Sequence, residues 1–366
     1  MEHASTGVLH FSWHRRPARR APTVIAMAAQ HQSSIQDVAA MAGVSTATVS
    51  RVLNNANLVA PQTAARVHEA IKQLGYRPNR FAQGLMTSKS HVLGIALPDI
   101  HGEFYSELLR GADAEARRLG YHLLVSSEAR TRAEQEQTGS LAFGLVDGLA
   151  VMLAEPNDAL WREAKSAGIP LVVIDADLRH KGFDSVVVDN ETGTREATTH
   201  LLESVPPAKC FFVGGPKENF DTRQRAAVFN ETLERAGAKP GPDQIVHGTY
   251  SVAWGNEWAQ GMAKARRLKG AGVLAGNDEV ALGVLHAAQE HGLSSPKDLR
   301  IVGFDDTRLA SLVRPTLSTV RVPLTEVGSA AIRALVERIE EPDRAPRTVS
   351  LATKLIARES SATGKR

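Results

Sequence analysis

Residues Val44–Asn55 read VSTATVSRVLNN. Ser45 is placed to accept from first-turn amides and so to cap a helix that starts at Thr46. Val49, Val52 and Leu53 recur on one face of that helix. Thr46, Ala47, Thr48, Ser50 and Arg51 are left on the other. Upstream, Ile35, Val38, Ala39 and Ala42 mark a preceding helix by their spacing, and Gly43 supplies a turn that tolerates positive φ. Downstream, Pro61 suits a first helical position. Ala64, Val67, Ala70, Ile71 and Leu74 form an apolar stripe, and Gly75 ends it. Three short helices of this kind make a compact unit. Its second helix exposes small side chains, so another surface can approach closely. In a helix-turn-helix that helix enters the major groove of DNA. An ordinary helical hairpin with a solvated face is the competing reading.

Charge supports contact with a polyanion. Residues 1–90 hold ten Lys/Arg against three acids, whereas the remainder holds 33 against 37. A basic head on a slightly acidic body suits a nucleic acid, although it leaves an anionic membrane surface open. No apolar run approaches the ~18 residues of a membrane span, and a cytoplasmic location is expected. The single cysteine, Cys210 in KCFFVGG, excludes an internal disulfide framework and reads as an inert core thiol. Residues 1–33 lack periodicity and are expected to be a disordered tail, with a basic arm reaching DNA as the alternative. Met27, just ahead of the first patterned segment, is an alternative start.

The stretch DVAAMAGVSTATVSRVLNN, the helix ending in LGYRPN, and ALPDI after a short linker resemble the lactose-repressor (LacI) family of bacterial transcription regulators. The resemblance covers about residues 34–358. It implies that Thr46 and Ala47 read bases and that Arg51 makes a further groove contact. Ser45, Thr48, Ser50, Asn54, Tyr76 and Asn79 fall at positions that hold phosphates or fix the domain on them. Ala60 departs from the usual serine before the third helix. Residues 79–91 resemble the family's hinge helix, which forms when two copies meet on operator DNA, and Leu85 matches its minor-groove wedge. Gly84 weakens that helix.

From Val92 onward, apolar runs alternate with amphipathic stretches: VLGIALP, YHLLVSS, GLAVMLA, PLVVIDA, SVVVDN, then KCFFVGG, QIVHG, GVLAGN, RIVGFDD and STVRV. About ten short strands separated by helices mean parallel α/β sheets arranged as two lobes. In such sheets ligands bind beyond the strand C-termini. The chain lacks GxGxxG after a strand, GxxxxGK[ST], HExxH and a nucleophile elbow. Thirteen histidines show no ligand spacing. An enzyme is therefore disfavoured, and no catalytic residue, metal or cofactor is expected.

The strand ends instead offer groups suited to a polyol: Asp175, then Asn219, Asp221 and Arg225, then Asn277 and Asp278, then Asp305 and Asp306. Phe104, Tyr105 and Tyr250 add rings that can cover a sugar face. Helix N-caps are the plainer reading for Asp221, Asn277 and Asp278. The resemblance implies a two-lobed parallel-sheet periplasmic-binding-protein-like (type I) body with an effector in its cleft. Arg225, Asn277 and Asp305 match the family's most regular effector contacts, and Asp175, Asn219 and Asp221 match variable ones. Tyr250 falls where an aromatic often stacks. The first loop, PDIHGEFY, departs from the family's PDISNPFF pattern at His101, Gly102 and Glu103.

The expected organisation is a tail (1–33), a small all-α helix-turn-helix head (34–78), a hinge (79–91), an α/β effector-binding and dimerisation body (92–358) and a C-terminal tail (359–366). The expected function is a cytoplasmic homodimeric repressor of a carbohydrate-use operon. Its expected partners are a near-palindromic operator and a sugar or sugar-acid effector. A periplasmic-type solute receptor and a regulator answering to a partner protein are the alternatives.

Overall fold

A computed structural model describes residues 33–54, 58–76, 89–127, 145–153 and 158–362. Expectations for the tail, for the hinge with Leu85, for Asn79 and for the Asn54 side chain lie outside these residues. The chain divides into two compact units at Asn79.

In the first unit, α1 (Ile35–Ala42), α2 (Thr46–Asn54) and α3 (Pro61–Leu74) enclose a core of Val38, Ala39, Ala42, Val49, Val52, Val67 and Ala70. α1 opens with a reciprocal capping box. Ser34 Oγ accepts from Asp37 N, and the Asp37 carboxylate accepts from Ser34 N at 2.8 Å. Gly43 (φ 63°) and Gly75 (φ 59°) close α1 and α3 in the left-handed region that glycine enters without steric cost. Ala60 gives α3 no side-chain cap, as its residue type requires.

In the second unit, two six-stranded sheets form the lobes. Lobe one contains β1 (Val92–Leu97), α4 (Gly102–Arg118), β2 (His122–Ser127), β3 (Gly148–Met152), α5 (Asp158–Ala167), β4 (Leu171–Ile174) and β5 (Asp184–Val188). Lobe two contains α6 (Asn190–Leu202), β6 (Cys210–Gly214), α7 (Phe220–Arg235), β7 (Ile245–His247), α8 (Val252–Lys264), β8 (Gly272–Ala275), α9 (Asp278–Glu290), β9 (Arg300–Asp305), α10 (Arg308–Leu312) and β10 (Ser318–Arg321). The chain then returns to lobe one as α11 (Leu324–Glu340) and β11 (Thr348–Leu351), and ends in lobe two as β12 (Lys354–Ile356). The sheet orders are β11-β5-β4-β3-β1-β2 and β12-β10-β9-β8-β6-β7.

All pairings are parallel except β10 with β12. The two last strands are additional to the ten expected ones. TVSL and KLI are short, half-exposed edge strands, so they lack the apolar run that marks a central parallel strand. The body also extends beyond residue 358, contrary to the expected tail from 359. A 3₁₀ turn at Glu359–Ser361 buries Ser360 and Ser361, and Ser360 Oγ donates to Ile301 O at 2.7 Å.

Each lobe contains a helix pair whose backbones touch through glycine. A Cβ on Gly111 of α4 would stand 1.8 Å from Thr325 O, and one on Gly328 of α11 would stand 2.0 Å from Leu108 O. Gly255 of α8 and Gly283 of α9 repeat the arrangement in lobe two. The chain passes between lobes at residues 188–190, 321–324 and 351–354.

Candidate functional site: an acidic cleft and an exposed helix

Strand order reverses beside β1 in one sheet and beside β6 in the other, giving each lobe a topological switch point. The loops beyond these strand ends line a single cavity of about 360 Å³. All nine residues expected in the cleft border it: Phe104, Tyr105, Asp175, Asn219, Asp221, Arg225, Tyr250, Asn277 and Asp305. Asp99, His101, Ser251 and Glu279 border it too, and sequence reasoning did not single them out as ligand contacts. Their loops carried a signal, since Asp99 and His101 lie in the divergent first loop and Glu279 lies two residues after Asn277.

Two of the aspartates sit on strained backbone. Asp175 has φ 70° and Asp305 has φ 108°, a region that non-glycine residues rarely enter. Such strain persists where surrounding structure enforces it, commonly at functional sites. Both residues lie at the ends of their strands and line the cavity. Burial pushes both carboxyls well above the usual carboxylate range. The Asp221 charge adds to this at Asp175, while Arg225 opposes it at both.

Arg225 organises the floor. Its Nε donates to Asn190 Oδ1 (2.8 Å), Nη1 to Gly276 O (2.7 Å) and Nη2 to Asp221 Oδ2 (3.2 Å). Its guanidinium lies 3.6 Å from the Phe304 ring centroid. Arg225 is 4% exposed and Asp221 7%. Burial pushes Asp221 up, and Arg225 and an Asn190 amide donor at 2.8 Å pull it back. Asp221 is thus an ion-pair partner inside the first turn of α7, and the cap of that helix is Asn219, which accepts from Thr222 N. Asn277 does cap α9, accepting from Val280 N. Asp278 is no cap either. It accepts from Thr319 Oγ1 (2.6 Å) and from Thr307 N and Oγ1, and burial raises it to about 7 despite them. Asp306 faces away, held by Arg321 and Arg358.

Tyr250 lies over a backbone platform. Cβ atoms on Gly215 and Gly276 would come within 2.5 and 3.1 Å of its ring. Its hydroxyl meets Thr222 Oγ1 at 2.6 Å and Asn219 Oδ1 at 3.2 Å. Gly215 and Gly276 therefore admit an aromatic ring. Phe104 and Tyr105 stand edge to face at 5.1 Å on the lobe-one side. The lobes also touch directly, for Glu103 Oε1 accepts from Arg308 N at 2.6 Å. Cys210 is buried in β6, and burial raises its thiol to about 12. Among the described residues no cluster of His, Cys, Asp or Glu is arranged to hold a metal ion, and no helix is long and apolar enough to cross a membrane.

On the first unit, α2 presents Thr46, Ala47 and Arg51 to solvent, with Thr48 and Ser50 half-buried. Ser45 Oγ accepts from Thr48 N at 3.2 Å, so the cap forms as its position demands. Tyr76 packs on the small core.

Sequence profiles agree with both units. That of bacterial regulatory proteins of the lacI family matches residues 34–79, and that of the periplasmic binding protein-like domain matches residues 208–361. Catabolite control protein A of Priestia megaterium is 33% identical over 329 residues, covering 90% of this chain and 99% of its own. The HTH-type transcriptional regulator RegA of Clostridium saccharobutylicum is 32% identical over 331 residues, with the same coverage. Among solved structures, the lac repressor dimer bound to operator and the anti-inducer ONPF superposes with a TM-score of 0.80 at 27% identity. A cellobiose complex of the regulator CelR superposes with a TM-score of 0.68, also at 27% identity. Both alignments cover 90% of this chain and 99% of the other. With a helix-turn-helix head, a two-lobed body and full-length relatives of this kind, the chain belongs to the lacI family of bacterial DNA-binding transcriptional regulators.

Proposed function

We propose that the protein is a homodimeric repressor of a carbohydrate-use operon, controlled by a small sugar that binds the cleft, and that it is not an enzyme. The observation that carries this reading is the cavity itself. It unites both switch points, it is lined by carboxylates, amides and aromatic rings, and it contains Asp305, which is 5% exposed. Adjacent hydroxyls of a polyol suit such acceptors, and the rings suit its apolar face. The related structures carry ligands of that chemistry, cellobiose in one case, and operator DNA in another.

In this reading Thr46, Ala47 and Arg51 meet base edges in the major groove. Ser45, Thr48, Ser50, Asn54, Tyr76 and Asn79 position the head on phosphates. Leu85 wedges into the minor groove at the centre of a near-palindromic site. Ligand closure of the lobes shifts the hinge, and the coupling is reciprocal between ligand and DNA. The test selects binding sites from randomised duplexes and then titrates sugars against the selected complex. A palindromic site whose affinity changes with a sugar supports the proposal. Selection of no sequence, or a sequence-specific complex indifferent to every sugar, refutes it.

A further inference from the structure

Among the described residues, the cleft carries one arginine against five carboxylates: Asp99, Asp175, Asp221, Glu279 and Asp305. That arginine is already engaged, since Arg225 donates to Asn190, Gly276 and Asp221 and is charge-balanced by Asp221. No described group donates to the Asp305 carboxylate, although it is 95% buried. The three helix N-termini on the lobe-two side of the cavity are also in use. Asn219 takes Thr222 N, Ser251 takes Trp254 N and Asn277 takes Val280 N. An entering anion would therefore find the Arg225 charge already balanced and α7, α8 and α9 capped. Among the described residues, the one N-terminus on the cavity without a side-chain cap is that of α4, and Asp99 and Glu279 flank it.

The rim adds repulsion. His101 is turned onto Asp99, Nδ1 to Oδ1 at 2.7 Å, with its ring largely in solvent. Hydrogen bonds from His101 hold Asp99 below the usual carboxylate range. Glu279 Oε1 lies 3.2 Å from where a Gly102 Cβ would stand, so it presses on the same loop from the opposite lobe.

We propose that Asp99 and Glu279 form a charge filter at the mouth of the cleft, which admits an uncharged polyhydroxyl ligand and rejects its acid and phosphate forms. This deepens, and rests on, the reading of the cleft as a sugar site. Hydroxyl groups donate to Asp175 and Asp305, whose carboxyl groups take no hydrogen bond from the described residues. A carboxylate or phosphate offers mainly acceptors and must bring a further negative charge past the Asp99 carboxylate, a like-charge juxtaposition that disfavours it. The sequence alone left a sugar acid open through Arg225, but in the structure Asp221 balances the Arg225 charge.

The test uses the full chain and matched probes: glucose, glucuronate and glucose 6-phosphate; galactose, galacturonate and galactose 6-phosphate; cellobiose and cellobionate. Thermal shift and calorimetric titration give the affinity ratio of each anion to its neutral parent. Wild type is expected to bind a neutral member at least tenfold more tightly than its anions. In the Asp99→Asn, Glu279→Gln double variant that ratio should move toward the anion by about tenfold, which is about 1.4 kcal/mol. The single Glu279→Gln variant should move it part of the way and serves if the double variant does not fold. Tighter binding of an acid or phosphate by wild type overturns the filter and leaves the sugar reading intact. An unchanged ratio in a folded variant also overturns it. If no probe binds, the sugar reading itself fails, and the filter fails with it.

Discussion

Replacing Arg225 by alanine should destabilise the body in a pH-dependent way. The residue joins α7 to α6 through Asn190, to the β8–α9 turn through Gly276, and to its own first turn through Asp221. Truncation leaves Asp221 buried with no cation, and leaves an amide oxygen and a carbonyl without their donor. Removing one partner of a buried pair costs about 3–5 kcal/mol. The separate losses share one network and do not add beyond that range. Asp221 can relieve part of the cost by taking a proton. Without Arg225 its folded-state proton affinity rises further above the unfolded value. The folded form then holds more protons than the unfolded form between those two values, so stability falls as pH rises through that window. The loss should be larger at pH 8 than at pH 5. Urea unfolding followed by tryptophan fluorescence reports on the body, because Trp161, Trp254 and Trp258 all lie there. Adding Asp221→Asn should recover part of the loss and flatten the pH difference. A loss below about 1 kcal/mol at pH 8, or a greater loss at pH 5, would refute the argument that Arg225 stabilises a buried carboxylate.

Four further outcomes are expected. Arg51→Ala should weaken operator binding by about 1–3 kcal/mol at matched salt if Arg51 bonds a guanine, and unchanged affinity would remove it from the groove. Glu103→Ala frees lobe one from Arg308 N, so small-angle scattering of the ligand-free protein should show a larger radius of gyration; an identical profile would mean the contact does not hold the lobes together. A neutral sugar that donates to Asp175 and Asp305 favours their ionised forms, against the upward shift imposed by burial and by the surrounding Asp221 and Asp278 charges. Binding should therefore release protons and tighten as pH rises, which titration calorimetry in buffers of different ionisation enthalpy reads directly, and proton uptake would contradict it. Gly111→Ala drives a methyl group into Thr325 O and should cost about 1–3 kcal/mol by separating α4 from α11, with an unaltered urea midpoint counting against that packing.

The head was legible because its information is local. Gly43 and Gly75 end helices through their own dihedral freedom, Ser45 caps through a hydroxyl three residues from its donor, and the apolar stripes declare their buried face by spacing. The overlooked Ser34–Asp37 box was equally local and could have been read from its spacing. The parallel strands declared themselves as apolar runs. Their ends, where ligands gather, pointed to the cleft residues together with Asp278 and Asp306, and the family resemblance narrowed the set.

Other features depended on which distant segments the fold brings together. Asn190, read as the end of the SVVVDN run, became a partner of Arg225, 35 residues away. Glu103 acquired Arg308 N across 205 residues. α11 left the order of its neighbours in sequence and returned to lobe one, and β11 and β12 joined sheets whose edges lay elsewhere. The charge character of the cleft was decided at this level as well. The sequence by itself supplied an arginine among aspartates, which suits an acid or a hydroxyl equally well. The Asp221–Arg225 pair is an i,i+4 pair on α7 and could have been read from its spacing. Only the tertiary structure engaged that arginine with Asn190 and Gly276 and, among the described residues, left the Asp305 carboxyl without a donor, because those partners are set by the convergence of separate loops, and no periodicity along the chain encodes it.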